Sequence, residues 1–358
     1  ALSSIMIFIP LKFLFSNIAL LLFVLFIIID KKKLEFKFNL SLLVPILFYI
    51  TMILSLLWTT NINQTISGLT KELPFFILPL SFMLCSTLNY KLKQTFLRIY
   101  SLGMVIYAFF CFLYAFRFSQ TSNKNVFIFH ELVSLDVNAI YISFFASFCL
   151  FYFIQLKSKK TIDLISIYVL TFFVLSLASK TIILIDVCML IWFYIKYASI
   201  NKSVRLVTLL MVGTFVIVSV IYVDQLQKRV LDEYETAFVD NSVNDVFGSK
   251  ENKVYNVSLK QAWLKKEFTS SDFIPGTALR VFHIRIFKEM FFEHVSFFYG
   301  FGQDASTESI KKKYEEYKIF SNFNYFNFHN QFIQTFSELG FLGLFLLILM
   351  VVINFKNA

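Results

Sequence analysis

The chain changes character near its C-terminus, where a long hydrophilic segment runs into a last apolar helix with the sequence HNQFIQTFSELGFLG at residues 329–343. His329 places a titratable imidazole beside the amide of Asn330 at the mouth of that helix. Continued helical spacing puts Gly340 and Gly343 on the histidine's own face, where small residues let a neighbouring helix approach closely. We therefore expect a packed site here. The alternative is a helix start with an interfacial histidine and ordinary glycine packing.

The composition of the whole chain is that of a membrane protein. Hydrophobic residues make up 58% of its 358 residues, charged residues 16%, and the mean hydropathy is +0.69, which is too apolar for a soluble domain of this length. Apolar runs long enough to span a bilayer recur, so the sequence predicts an all-α, polytopic membrane helical bundle. Nine spans are expected, at residues 11–29, 40–59, 73–88, 96–116, 137–155, 162–178, 181–197, 204–223 and 334–355.

Basic residues alternate between the connections, and this alternation sets the predicted orientation. Lysine and arginine cluster after the first, third, fifth and seventh spans, so the positive-inside rule places those connections in the cytoplasm. The same placement explains most of the net charge of +10 without nucleic acid as a partner. It predicts membrane helices over residues 1–223, a periplasmic helical loop over 224–330 and a final membrane helix over 331–358. We expect further helices beyond one or both ends.

The hydrophilic segment has the pattern of helical pieces rather than of a disordered arm. Apolar residues recur at helical spacing over three stretches, residues 225–239, 254–268 and 277–292. A glycine-rich turn follows at residues 299–302, and Asp304 or Ser306 is expected to cap a charged helix that ends near Lys318. Charge pairs at i,i+4 favour a solvated surface for that helix.

Two cations are candidates for binding an anionic substrate. Arg280 opens the last amphipathic helix of the loop, where its planar fork of donors suits a phosphate group; the alternative is that it snorkels beside apolar surface. Lys180 stands at the outer membrane edge between two closely spaced spans, where it either binds a diphosphate or anchors a helix end. Arg285 and Lys288 lie on other helix faces and are expected to be solvated.

Two carboxylates and two further histidines complete the set of candidates. Asp186 lies inside a predicted span, where carboxylates are more often functional or partnered than accidental. Glu338 is predicted on the helix face opposite His329, in a structural rather than a chemical role. His283 and His294 are interpreted as surface or packing histidines, and their replacement is expected to be nearly silent.

Several kinds of site are excluded by their missing motifs. The sequence has no phosphate-binding glycine loop, no GxSxG and no HExxH, and no aspartate- or glutamate-rich cluster suggests a divalent cation. Its four cysteines lie inside apolar runs without metal-ligand spacing or a disulfide framework. We therefore expect catalysis, if there is any, to be independent of metals, cofactors and nucleotide hydrolysis.

Residues 277–345 resemble the bacterial O-antigen ligase and polymerase superfamily. The resemblance is carried by the Arg280-led helix, the turn FYGFG at residues 298–302 and the ending HNQF at 329–332 followed by ELGFLG at 338–343. It implies glycosyl transfer at the outer face of the inner membrane, from a glycan on undecaprenyl diphosphate to a hydroxyl of lipid A-core or of another glycan. It also implies that both substrates lie among membrane lipids.

The resemblance also implies roles for individual residues. His329 would assist deprotonation of the acceptor, Arg280 would neutralise the leaving diphosphate, and Asn330 would contact substrate beside them. The family's second arginine, after a small residue at the outer edge of a span, is matched here by Lys180 after Ser179, which keeps the charge but loses the bidentate geometry. Glu338 and Asp186 are expected in supporting roles.

The favoured interpretation is a multi-spanning inner-membrane O-antigen ligase with its large loop in the periplasm. A repeat-unit polymerase uses the same donor and is the nearest alternative, followed by a protein O-oligosaccharyltransferase. A transporter or flippase would also explain nine spans and an intramembrane Asp186, but no inverted repeat is evident in the sequence. A purely structural membrane scaffold is the least favoured.

Overall fold

The apolar runs of the sequence fold into helices. A computed structural model describes residues 13–29, 36–84, 90–122, 127, 131–133, 137–196, 234–244, 253–293, 298–319 and 327–357, with several positions between 202 and 214. The helices of these residues are α1 (Phe13–Ile29), α2 (Leu40–Leu54), α3 (Ile62–Glu72), α4 (Pro74–Leu84), α5 (Tyr90–Ser122), α6 (Ala139–Gln155), α7 (Thr161–Ser176), α8 (Lys180–Lys196), α9 (Leu259–Leu264), α10 (Gly276–Glu293), α11 (Ser306–Glu316) and α12 (Gln331–Asn357).

Three helical stretches are long and apolar enough to cross a membrane: Leu40–Leu57, Tyr90–Thr121 and Gln331–Asn357. Shorter apolar helices lie at Asn17–Ile29, Ala139–Gln155, Thr161–Ser176 and Thr181–Tyr194. The predicted all-α membrane fold is thus confirmed. The predicted span at residues 204–223 lies largely outside the described residues.

The chain divides into two compact units. The first unit comprises Ala1–Leu34 and Cys85–Val223, and its core lies between α5, α6 and α7, where Ile142, Phe153 and Phe173 are fully buried. The second unit comprises Glu35–Leu84 and Asp224–Ala358. The loop and the last helix therefore fold together with α2, α3 and α4. The placement of the loop in the periplasm and of the last helix in the membrane stays a prediction.

In the second unit, α12 and α4 pack on α2 around Val44, Phe48 and Leu346. The connection after the second predicted span contains α3, a helix that the sequence analysis did not predict. Asn61 starts α3 by accepting a 3.2 Å hydrogen bond from Gln64 N. Its 11 residues give a length of about 16 Å, too short to cross a bilayer.

A small sheet inside the loop was also not predicted. Strands β1 (Ser242–Val243), β2 (Tyr255–Asn256) and β3 (Asp272–Phe273) pair in the order β1-β2-β3, antiparallel and then parallel. The sheet leads into α9 and α10, whose apolar faces pack with α11 around Phe282, Ile286 and Ile310. The predicted helix over residues 277–292 matches α10, whereas α9 is shorter than the stretch predicted for it. Most of the stretch 225–239 lies outside the described residues.

Candidate functional site

The glycine-rich turn docks on a break in α12. Gly340 has φ 64° and ψ −156°, which interrupts the helix. In an unbroken helix the carbonyls of Ser337 and Glu338 would accept from residues 341 and 342. Here they accept from Phe301 N at 2.8 Å and from Gly302 N at 2.9 Å. The break therefore exposes the backbone acceptors to which the turn is fixed.

Two glycines permit this close approach. Gly300 and Gly340 both have positive φ, where a side chain is strained. A Cβ on Gly300 would overlap the backbone of Glu338, and a Cβ on Gly340 would overlap the carbonyl of Phe298. Gly340 thus receives the turn at residues 298–302, not a neighbouring helix beneath the imidazole, so the predicted role of Gly340 was wrong. Gly343 lies against Leu339 of its own helix.

The loop between α2 and α3 holds the other side of the turn. Trp58 Nε1 donates to the carbonyl of Tyr299 at 2.8 Å, and Thr60 N donates to the carbonyl of Phe301 at 3.0 Å. The turn is therefore held between this loop and α12. No sequence motif marked Trp58, because its partner lies 241 positions away in the chain.

His329 lies outside α12, which begins at Gln331. Its backbone has φ 49°, and its N–H donates a 3.0 Å hydrogen bond to Asn327 Oδ1. The prediction that His329 continues the helix and shares a face with both glycines is therefore wrong, because the chain turns before the helix starts and the helix breaks at Gly340. The side chain of His329 is exposed at this end of α12.

Asn330 caps α12. Its Oδ1 accepts from Phe332 N at 3.0 Å and from Ile333 N at 3.3 Å, which satisfies two of the free donors at the helix start. The carboxamide oxygen is thus occupied within the protein. The role of Asn330 toward substrate stays a prediction.

A buried polar network lies one turn deeper. Gln334 Oε1 accepts from Phe328 N at 2.9 Å, while its Nε2 donates to Ser306 Oγ at 3.0 Å and to the carboxylate of Glu338. Ser306 Oγ also donates to Glu338 Oε1 at 3.2 Å, and Glu338 is only 3% exposed. Glu338 is therefore linked to the His329 turn through Gln334, rather than placed on an opposite helix face.

The prediction that Asp304 or Ser306 caps α11 was wrong. The N-cap position is Ala305, which makes no side-chain cap. Asp304 is instead paired with Lys71 Nζ at 2.9 Å, and the hydroxyl of Ser306 is directed to Glu338 and Gln334. The helix is not fully solvated either, since the buried Lys313 forms ion pairs with Glu293 and Glu316.

Arg280 is the fifth residue of α10, and its side chain is exposed. Among the described residues, no side chain or carbonyl forms a hydrogen bond or ion pair with its guanidinium. The pKa of His329 is nevertheless lowered from its ordinary value of 6.5, first by partial burial and then by the positive charge of Arg280. The structure thus brings these two predicted site residues within electrostatic reach of one another.

His283 contacts His329, which the sequence analysis did not predict. It is fully buried, its Nε2 shares a 2.6 Å hydrogen bond with Tyr314 Oη, and its ring centroid lies 5.3 Å from that of His329. Burial, and then the nearby His329, lower its pKa to about 3, so the imidazole is neutral. His283 is thus a packing histidine, and it packs on the candidate base. His294 lies outside the described residues.

Arg285 is not solvated as predicted. Its side chain is 13% exposed and donates to Lys265 O at 2.7 Å, to Tyr317 Oη at 2.8 Å and to Glu289 Oε1 at 3.1 Å. Helical spacing alone could not reveal this, because the residues that directly follow α9 and α11 supply two of these three contacts. Arg285 is a structural residue.

The other two predicted site residues belong to the first unit. α8 begins at Lys180, whose role stays a prediction. Asp186 is buried within α8 and accepts a hydrogen bond from Ser147 Oγ of α6, while its Oδ2 has no partner among the described residues. Across the described residues, no group of three or more metal-ligating side chains could hold a metal ion.

Comparison with protein families identifies one match. Residues 164–348 match the model of the Wzy_C family, described as O-antigen ligase. The match covers just over half of the chain and includes Arg280, His329 and Glu338. No curated protein and no solved structure matches the chain.

Proposed function

Because this chain belongs to the O-antigen ligase family, a family of multi-pass membrane enzymes of glycosyl transfer, we propose that it moves a glycan from undecaprenyl diphosphate to an acceptor hydroxyl at the periplasmic face of the inner membrane. The favoured acceptor is lipid A-core. The observation that carries this proposal is that the family match over residues 164–348 contains both Arg280 and His329, and that both side chains are exposed.

In this proposal His329 is the general base. An acceptor hydroxyl attacks C1 of the donor sugar, a C–O bond forms, and the bond from C1 to the diphosphate oxygen breaks. The hydroxyl proton passes to the imidazole, which needs the neutral form to accept it. The lowered pKa of His329 keeps that form populated at neutral pH.

Arg280 stabilises the leaving group. Negative charge builds on the diphosphate as the C–O bond breaks, and a guanidinium binds two phosphate oxygens through a planar pair of donors. Because Arg280 has no protein partner among the described residues, its guanidinium is available for this contact. Its charge also lowers the pKa of His329, which keeps the imidazole neutral before the acceptor binds.

The test is glycan transfer by purified protein, with lipid-linked glycan and core lipid extracted from a deletion strain as probes. His329→Ala should lower turnover by about a hundred- to ten-thousand-fold while the protein still binds the donor. Near-normal turnover by His329→Ala would rule out the catalytic role.

The deletion strain itself distinguishes the possible reactions on a lipopolysaccharide gel. Loss of all O-chains with glycan retained on undecaprenyl diphosphate supports ligation. Core carrying a single repeat unit means polymerisation, and an unchanged gel contradicts both.

A further inference from the structure

His283 is a buried imidazole with an unsatisfied nitrogen. It is 0% exposed, and its Nδ1 has no hydrogen-bond partner among the described residues. Buried polar atoms are usually paired, and leaving one unpaired destabilises the fold. An aliphatic residue would avoid that cost at this position of the α10 core. The presence of an imidazole here therefore calls for an explanation beyond packing.

The ring of His283 packs against the rings of both Tyr314 and His329. It stacks on Tyr314 with an interplanar angle of 7° and a centroid distance of 5.9 Å. The His329 ring is tilted by 31° relative to His283 at a centroid distance of 5.3 Å, within the range of favourable aromatic pairs. The bond between Nε2 and Tyr314 Oη fixes the orientation of the His283 ring about its own axis.

His329 needs such support because its own backbone is not in a helix. It has φ 49°, and its exposed side chain would otherwise choose among several rotamers. A general base must hold its nitrogen within hydrogen-bond reach of the acceptor hydroxyl. A rigid, uncharged ring beside it restricts the imidazole without opposing the positive charge that His329 acquires on accepting the proton.

We propose that His283, held by Tyr314, is a positioning residue that orients the imidazole of His329 for proton transfer. This inference rests on the proposed function of His329, but it makes a separate statement about ring geometry. The ring of His283 is the surface that the imidazole of His329 contacts. The hydrogen bond to Tyr314 fixes the angle of the His283 ring. The residue itself touches neither donor nor acceptor.

The experiment measures turnover and ring dynamics in the same set of variants. His283→Ala removes the supporting ring, whereas His283→Phe keeps a ring of similar size. Phe268→Ala is the matched control, since Phe268 is equally a buried aromatic residue of this core and packs on Phe282 and Tyr317. The probes are the lipid-linked glycan and core lipid extracted from the deletion strain.

The expected result is a fall in kcat of about ten- to hundredfold for His283→Ala, with KM changed by less than about threefold. His283→Phe should recover part of that kcat, because it restores a ring but not the hydrogen bond to Tyr314. Phe268→Ala should lower the melting temperature about as much as His283→Ala while leaving kcat within about threefold of the wild type. Unchanged kcat in His283→Ala, or an equal loss in Phe268→Ala, would overturn the proposal.

A spectroscopic measurement separates this proposal from the proposed function. In protein with 13C-labelled histidine and no substrate, relaxation of the His329 ring should show increased mobility in His283→Ala and a smaller increase in His283→Phe. Unaltered relaxation in His283→Ala contradicts the positioning role even if His329→Ala is inactive. An active His329→Ala, in contrast, contradicts the function of His329 and leaves the ring contact as packing.

Discussion

The backbone N–H of Phe328 donates a 2.9 Å hydrogen bond to Oε1 of Gln334, which ties the turn before His329 to the first helical turns of α12. The amide nitrogen of the same side chain bonds Ser306 and the buried Glu338. The position of His329 is therefore set from inside the protein, through a glutamine that reaches both a backbone donor and a buried carboxylate.

We predict that Gln334→Leu lowers glycan transfer by about tenfold or more, because the turn at residues 327–329 loses its anchor and His329 shifts from its reactive position. Glu338 also loses a donor in this variant, so the melting temperature should fall as well. Turnover and melting temperature of the purified protein are the measurements.

Gln331→Leu is the control for this change. Gln331 lies in the same helix and bonds only its neighbour Thr335 among the described residues, at 3.2 Å. Its replacement should leave transfer close to that of the wild type. Similar losses in both variants would show that the helix start tolerates no apolar substitution, and would remove the specific role of Gln334.

Gly340 gives a prediction about stability. Gly340→Ala places a side chain at positive φ and against the carbonyl of Phe298, which should cost about 2 kcal/mol or more and loosen the turn. Gly276→Ala is the matched control, because a Cβ there meets nothing within 4 Å; its effect should stay within about 1 kcal/mol. Thermal unfolding in detergent tests both, and equal effects would contradict the docked turn.

Whether the sequence could predict a part of this site depends on how far apart in the chain the interacting residues lie. Arg280, His329 and Glu338 could be proposed from local sequence because short motifs carry them. The break at Gly340 was not predicted from local sequence. A glycine in an apolar run has the same local pattern whether it lies at a helix–helix contact or interrupts a helix. The partner that distinguishes these cases is Phe298, 42 positions earlier in the chain.

Burial of charged side chains was harder still to predict. Helical spacing placed Arg285 on a different face from Arg280, which is correct, and then equated that face with solvent. In the folded loop that face meets the carbonyl of Lys265 and the ring of Tyr317. Periodicity shows which residues share a face, but it does not identify what covers the face. The apolar content, in contrast, was sufficient to predict the helical membrane fold.

Because Arg280 is exposed and Arg285 is partly buried and hydrogen-bonded, replacement by lysine should affect activity at the first and stability at the second. Arg280→Lys should lower transfer by about ten- to hundredfold, because the bidentate phosphate contact is lost, and should leave the melting temperature unchanged. Arg285→Lys should instead cost about 2 kcal/mol of stability through its lost hydrogen bonds. Its turnover, measured well below its melting temperature, should be close to normal. A loss of stability in Arg280→Lys would indicate an anchor rather than a phosphate ligand.

The predicted orientation can be tested by cysteine labelling in a cysteine-free background. Ser306 is unsuitable because it is buried, whereas Ser270 is exposed in the loop and Ser158 is exposed between α6 and α7. Ser270→Cys should react with an impermeant maleimide in intact spheroplasts, and Ser158→Cys only after lysis. The reverse pattern would place the loop in the cytoplasm.

The charge of Arg280 gives a prediction for the pH dependence of His329. The pKa of the imidazole is lowered by partial burial and by Arg280, while the neighbouring His283 is neutral. Removing the positive charge in Arg280→Met should therefore raise the pKa of His329 toward its ordinary value of 6.5. Arg280→Lys keeps the charge and should leave that pKa nearly where it is in the wild type.

The consequence for catalysis follows from the form that reacts. An imidazole acts as a general base only in its neutral form, so transfer declines as the pH falls through the pKa of His329. That decline should begin at a higher pH in Arg280→Met than in Arg280→Lys, although both variants bind phosphate less well. NMR titration of 13C-labelled histidine without substrate measures the pKa directly, and the pH profile of kcat/KM measures its effect on the reaction. Identical titrations in Arg280→Met and the wild type would show that the two charges do not interact, and the pairing on which the proposed function depends would then be lost.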